Sequence, residues 1–231
     1  MVGNGMAGVR TIEELLKLDP ELYDITIFGS EPHPNYNRIL LSPVLAGEQT
    51  LEQIILNDLA WYKDNGIQLH LGKTITKIDR QERTVTASDG TTETYDRLLL
   101  ATGSQPFILP VPGNDLPGVI AYRDIKDTNE MINVATRYKN AVVIGGGLLG
   151  LEAANGLALR GMSVTVVHLA DWLMERQLDK TAADLLQKSL EDKGLKFLLS
   201  TATEALIPNA SGDRVGSIRF KGGLEIPADL V

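Results

Sequence analysis

Runs of continuous apolar residues and stretches of helical spacing take turns along this chain, and the changes between them mark most of its elements. The clearest run is Ala141-Val-Val-Ile144, largely β-branched, as expected of a parallel strand covered on both faces. Helical spacing follows to Arg160, Gly161 is placed to end that helix, and Ser163-Val-Thr-Val-Val167 reads as a second strand. Strand, helix, strand is a βαβ unit. The start of the chain repeats the order in shortened form, with a helix to Leu18, a turn at Asp19-Pro20 and a strand over Tyr23–Phe28. Only Met1 and Val2 stand where that unit's first strand belongs, and Leu224–Val231 reads as a strand just beginning. The expectation is therefore a chain truncated at both ends.

Between the two units the pattern predicts a helix over Thr50–Leu56 and another over Asp58–Asn65, capped by Asn57 and stopped by Gly66. Strands are expected at Ile67–Leu71 and Thr74–Ile78. Arg83–Tyr95 predicts a hairpin with the two-residue turn Asp89-Gly90. Asp96–Leu100 reads as a buried strand running into the small-residue turn Ala101-Thr-Gly-Ser104. Prolines at 106, 110, 112 and 117 mark a linker, which puts the domain boundary near Asp115, between residues 1–114 and 115–231. Past it, Asp124 or Asp127 begins a helix to about Tyr138, and Asp179 caps a long amphipathic helix that Gly194 stops. Lys196–Ser200, Val215–Phe220 and Leu224–Val231 read as strands, with turns at Pro208-Asn209 and Ser211-Gly212-Asp213. The fold class is α/β, with two Rossmann-like βαβ domains and a β-hairpin or meander in each.

Composition narrows the chemistry. The 231 residues carry a net charge of −8 without a Lys/Arg cluster, which argues against nucleic acid or an anionic membrane as partner. Cysteine is absent, which removes disulfides, thiolate metal sites, iron–sulfur ligation and a cysteine nucleophile from this chain. His33 has no ligand partner at metal spacing and His70, on an alternating strand, reads as a solvated imidazole, so no metal site is expected. Trp61 and Tyr62 read as core or contact residues. No apolar stretch approaches membrane-spanning length and no basic-then-apolar leader opens the chain, so a cytoplasmic protein is expected.

The informative residues are glycines. Gly145, Gly147 and Gly150 form G-x-G-x-x-G between a strand and a helix, and Gly3, Gly5 and Gly8, spaced by Asn4, Met6 and Ala7, form it again. The first glycine permits the tight turn, the second lets backbone approach a pyrophosphate, and the third lets helix pack on strand. Glu31 lies about 20 residues beyond the first set, where an acid accepts hydrogen bonds from ribose hydroxyls. Arg38 is a candidate for phosphate pairing or adenine stacking. At the corresponding place in the second unit stands His168, so the sequence leaves NADH and NADPH undecided, with Arg176 a distant candidate for a phosphate.

Two such units, the first interrupted by a hairpin and an Ala-Thr-Gly turn, resemble the two-dinucleotide-binding-domain flavoproteins over the whole chain. More narrowly, Asn35-Tyr-Asn-Arg-Ile-Leu-Leu-Ser42, Gly145–Glu152 and Met174-Glu-Arg-Gln-Leu-Asp179 resemble the N-terminal flavin module of the assimilatory NAD(P)H nitrite reductase large-subunit family. The resemblance implies that the second domain is inserted in the first, with FAD in the first and NAD(P)H in the second. It implies hydride transfer from NAD(P)H to FAD. Onward electron flow would reach a sirohaem and iron–sulfur domain, or an acceptor protein, outside this chain. In the full enzymes nitrite is reduced to ammonia, which a chain without cysteine should not do alone. By resemblance Gly3, Gly5, Gly8 and Glu31 face the adenosine half of FAD and Ala101, Thr102 and Gly103 lie near the flavin; Met6, Ala7, Arg38, Ser42 and Ile75 are further candidate cofactor-binding residues. Gly145, Gly147, Leu148, Leu149, Gly150, Glu152 and His168 face the nicotinamide nucleotide. Glu152 matches the family glutamate that faces the nicotinamide. The dithiol motif of the disulfide reductases is missing. The alternatives are a stand-alone reductase for rubredoxin or ferredoxin, and a non-catalytic nucleotide-binding fragment without flavin. An unpaired sheet edge at either truncated end would favour a homodimer.

Overall fold

In the computed structural model, which describes Met1–Val231, the chain divides into two units, Met1–Arg38 with Leu51–Gln105, and Ile39–Thr50 with Pro106–Val231. The chain thus enters the second unit for good at Pro106, upstream of Asp115. It has already visited it once, at Ile39–Thr50.

In the first unit, helix α1 (Met6–Leu18) leads to strand β1 (Thr26–Phe28). The visiting segment carries helix α2 (Leu41–Ala46), after which helix α3 (Leu59–Asp64) and strand β2 (Gln68–His70) return to the first unit. Strands β1 and β2 pair in parallel, and Val2 bridges in parallel to both Phe28 and Leu100. The parallel order is therefore Leu100, Val2, β1, β2, with the apolar face of α1 packing Ile12 against Ile27, Tyr62 and Ile67. Strands β3 (Ile75–Asp79), β4 (Thr84–Ala87) and β5 (Thr92–Thr94) form an antiparallel sheet in the order β3-β4-β5.

Four expectations for this unit need correction. The predicted helix over Thr50–Leu56 shrinks to one 3-10 turn at Glu52–Ile54. Its backbone groups find partners elsewhere, since Asn37 donates to the Ile54 carbonyl and Leu56 donates to that of Asn35. The cap of α3 is Asp58, whose side chain accepts from the Trp61 amide, while the Asn57 side chain is committed to Asn35 and Glu13. The hairpin loop holds three residues, Ser88, Asp89 and Gly90, because the Ala87 amide pairs with the Thr91 carbonyl; Gly90 at φ +89° takes the left-handed position such a loop requires. Asp96–Leu100 forms no buried strand: its pairing is the bridge to Val2, and Leu100 is 57% exposed.

The second unit opens with helix α4 (Ile125–Ala135), capped reciprocally by Asp124 and Asp127. Strand β6 (Asn140–Ile144), helix α5 (Leu148–Leu159), strand β7 (Ser163–Val167), helix α6 (Lys180–Glu191) and strand β8 (Lys196–Leu198) follow. The sheet is parallel in the order β6-β7-β8, and Leu230 bridges to Ala141 on the free side of β6. Strands β9 (Thr203–Pro208), β10 (Val215–Phe220) and β11 (Glu225–Pro227) form an antiparallel meander. Strand β9 lacks a readable alternation because it buries two adjacent residues, Ala205 and Leu206. The expected strand over Leu224–Val231 splits into β11 and the separate bridge at Leu230, with the Asp229 carboxylate accepting from the Asn140 amide. No helix is long and apolar enough to cross a membrane.

Candidate functional site

The three glycines of each fingerprint do different work. A Cβ on Gly3, whose φ is +105°, would lie 2.1 Å from the Ala101 carbonyl oxygen, and one on Gly8 would lie 2.9 Å from the Ala101 Cβ. In the second unit a Cβ on Gly150 would lie 2.0 Å from the Gly145 carbonyl oxygen, while Gly145 itself turns the chain at φ +128°. These glycines are demanded by the protein's own backbone. The middle ones are not: a Cβ on Gly5 or Gly147 would meet nothing within 4 Å. Both are N-cap residues, of α1 and α5, and neither helix has a side-chain cap or an acid in its first turn. Each helix therefore presents unpaired amides and its positive dipole end over open backbone, which fits a pyrophosphate.

In the first unit Ala101, Thr102 and Gly103 come against this turn: Ala101 donates its amide to the Val2 carbonyl, and Gly103 sits at φ +73°. Asn4 is held by the Tyr62 hydroxyl at 2.8 Å, a phenol whose pKa burial pushes up. Glu31 follows the end of β1. Its Oε2 accepts from the Tyr36 hydroxyl at 2.7 Å and its Oε1 from Arg38 at 2.6 Å, and the Arg38 guanidinium also stands 5.2 Å from the centre of the Tyr36 ring. A carboxylate has lone pairs left for a ribose diol after two such bonds. Ile75 packs against Phe28, Val85 and Ala87. His70 stacks on Phe28 at 4.5 Å between ring centres, so its ring is a packing surface rather than a solvated imidazole.

In the second unit Glu152, in the first turns of α5, receives a directed pair of hydrogen bonds. Tyr122 donates to Ser42 at 3.2 Å, and Ser42, whose own proton is then free, donates to Glu152 Oε2 at 2.7 Å. Burial, with the nearby Glu152 charge, pushes the Tyr122 phenol up to about 12, so it stays a donor. Ser42 is here because α2 is fastened to α5: Leu45 fills the space over Gly156, and Arg160 donates to the carbonyls of Val44 and Leu45. The fold brings Ser42, a candidate cofactor-binding residue, to Glu152. At the end of β7, His168 Nδ1 accepts from the Gly146 amide at 3.1 Å and its Nε2 meets Glu175 at 3.0 Å. Leu148 and Leu149 stand exposed at the start of α5. A cavity of about 390 Å³, apolar and lined by Ile108, Val143, Leu149 and Ala153, lies in the same unit.

Sequence reasoning missed Tyr36, Tyr122 and Glu175. Tyr36 had a local signal, two residues from Arg38; Tyr122 reaches Ser42 across 80 positions and had none.

The sequence pattern of the pyridine nucleotide-disulphide oxidoreductases matches residues 1–231. The chain belongs to that family. Within the pyridine nucleotide-disulphide oxidoreductases it is 56% identical over 231 residues to a nitrite reductase (NAD(P)H) of Bacillus subtilis, covering all of this chain and 28% of that protein. It is 51% identical over 231 residues to an assimilatory nitrate reductase electron transfer subunit of the same organism, again over all of this chain and 30% of the relative. A ferredoxin reductase from Rhodopseudomonas palustris superposes with a TM-score of 0.91 at 27% identity, over 100% of this chain and 56% of that one. The chain therefore spans under a third of the length of these two curated relatives.

Proposed function

We propose that this chain is an electron-transfer module that passes hydride from NAD(P)H to FAD, with FAD on the first unit and NAD(P)H on the second. The observation that carries the reading is the pair of open middle glycines, Gly5 and Gly147, each at an uncapped helix start. Gly5 and the first amides of α1 receive the FAD pyrophosphate, Glu31 binds the adenosine ribose hydroxyls, and the Ala101–Gly103 turn allows close approach of backbone. Gly147 and α5 receive the nicotinamide nucleotide, and Glu152, oriented by Ser42, faces its nicotinamide. Bound flavin supplies the two-electron redox chemistry, accepting hydride and releasing electrons to the next carrier. No side chain need act as nucleophile or general acid.

The acceptor is a sirohaem and iron–sulfur domain or a separate electron-transfer protein, and the setting is cytoplasmic nitrite reduction. The 56% identity to a nitrite reductase supports the sirohaem and iron–sulfur acceptor over a ferredoxin, since the ferredoxin reductase shares the fold at 27% identity. The test is the visible spectrum of the chain after incubation with FAD, recorded before and after anaerobic NADH or NADPH. Flavin bands that bleach with either nucleotide are expected. A chain that takes up no flavin would be a nucleotide-binding fragment without the activity.

A further inference from the structure

We infer that Glu175 is the carboxylate that makes the second unit select NADH over NADPH, delivered to the ribose corner by His168. The inference rests on the nucleotide reading above and deepens it. A dinucleotide unit distinguishes the two donors where the second strand ends: a carboxylate accepts from the ribose hydroxyls, and an arginine accommodates the 2′-phosphate. Here that position holds an imidazole, which does neither.

The geometry supplies what His168 lacks. The Gly146 amide donates to Nδ1, so that nitrogen carries no proton, and Nε2 is the one that donates to Glu175 Oε2. A neutral imidazole thus bridges the glycine turn to a carboxylate, whose charge faces the ribose corner with Arg176 as the neighbouring cation. The loop is bound to the turn a second time, because the Met174 amide donates to the Gly146 carbonyl. Leu173 is fully buried, and a Cβ on Gly146 would collide with both Leu173 and His168 at 2.8 Å. Met174 itself is held at φ +53°, a conformation a non-glycine residue adopts at a cost. That strain sits one residue before Glu175, whose side chain stays 36% exposed. The strands β6 and β7 are parallel, and a dinucleotide lies outside the carboxyl ends of such strands. His168 stands at the carboxyl end of β7, and Glu175 is tied to it.

Calorimetric titration of the chain with ADP-ribose and with its 2′-phosphate, neither of which can reduce a flavin, isolates this corner. ADP-ribose should bind at least about tenfold more tightly. Glu175→Gln, an isosteric change at an exposed side chain, should narrow the ratio to within about threefold, mainly by tightening the phosphate compound. The ratio of kcat/KM for NADH over NADPH should fall in parallel. An unchanged ratio in Glu175→Gln overturns the inference, as does a wild-type preference for the 2′-phosphate that Arg176→Gln removes. A wild-type chain that binds neither compound overturns the nucleotide reading itself.

Discussion

Two strand ends stand behind the same glycine spacing, and on the proposed reading they bring a carboxylate to a ribose corner by different means. In the first unit Glu31 follows the strand directly and is charge-balanced by Arg38 at 2.6 Å. In the second, His168 holds the strand end and Glu175 comes from seven residues further along, tied through a neutral ring. A directly paired acid can accept a diol at little net charge, whereas an acid bonded to a neutral ring, with Arg176 only as a neighbour, keeps more of its charge to set against a phosphate. On that reading the glycine turn sets where a nucleotide lies, and the loop chemistry sets which one.

The largest effects should come from the glycines that touch backbone. Gly3→Ala and Gly150→Ala place a Cβ 2.1 and 2.0 Å from a carbonyl oxygen, and each should lower unfolding free energy by about 3 kcal/mol or more in urea titrations. Gly5→Ala and Gly147→Ala should stay within about 1 kcal/mol of wild type while weakening FAD or ADP-ribose binding about tenfold. Equal destabilisation at all four would remove the distinction between structural and ligand-facing glycines. Next is a fastening that has no counterpart in the first unit. Arg160→Ala removes two guanidinium-to-carbonyl bonds that hold α2 and should cost about 2 kcal/mol by thermal unfolding.

A smaller effect depends on pH. The Tyr122 pKa is raised in the folded state, so its contribution is complete below about pH 10 and is lost as pH rises toward 12. Allowing for its partial exposure, the loss is on the order of 1 kcal/mol, and Tyr122→Phe should flatten the alkaline fall in stability over that range. Least of all is Asp89, which Lys73 holds at a pKa of about 2 on an exposed loop. Its contribution is present above the ordinary carboxylate pKa and disappears as pH falls toward 2. Asp89→Asn should abolish that acid-side dependence and leave the alkaline one untouched.

The parts legible in the sequence are those fixed by local rules. Gly145, Gly147 and Gly150 announce themselves because no other residue serves a tight turn, a close approach and a close packing at that spacing. Asp124 and Asp179 cap helices through bonds three residues away, and both could be read. Elements whose partners are distant could not. The Leu98-Leu99-Leu100 run has the composition of a buried strand, yet burial depends on neighbours that pairing with Val2 alone does not supply. Strand β9 gave no alternation to find. In the site, Glu31 was legible by spacing, whereas the meeting of Tyr122, Ser42 and Glu152 depends on α2 leaving its sequence neighbours.

That departure bears on how the chain can be divided. A cut after Gln105 looks like the natural place to separate two halves. The piece beginning at Pro106 would lack Leu45, a fully buried residue, and would leave Gly156 facing an empty notch and Arg160 without its two carbonyls. A second half made to fold alone would have to carry Ile39–Thr50 with it, grafted on or supplied as a peptide. The modular boundary is a property of the three-dimensional packing, and no single point along the polypeptide coincides with it.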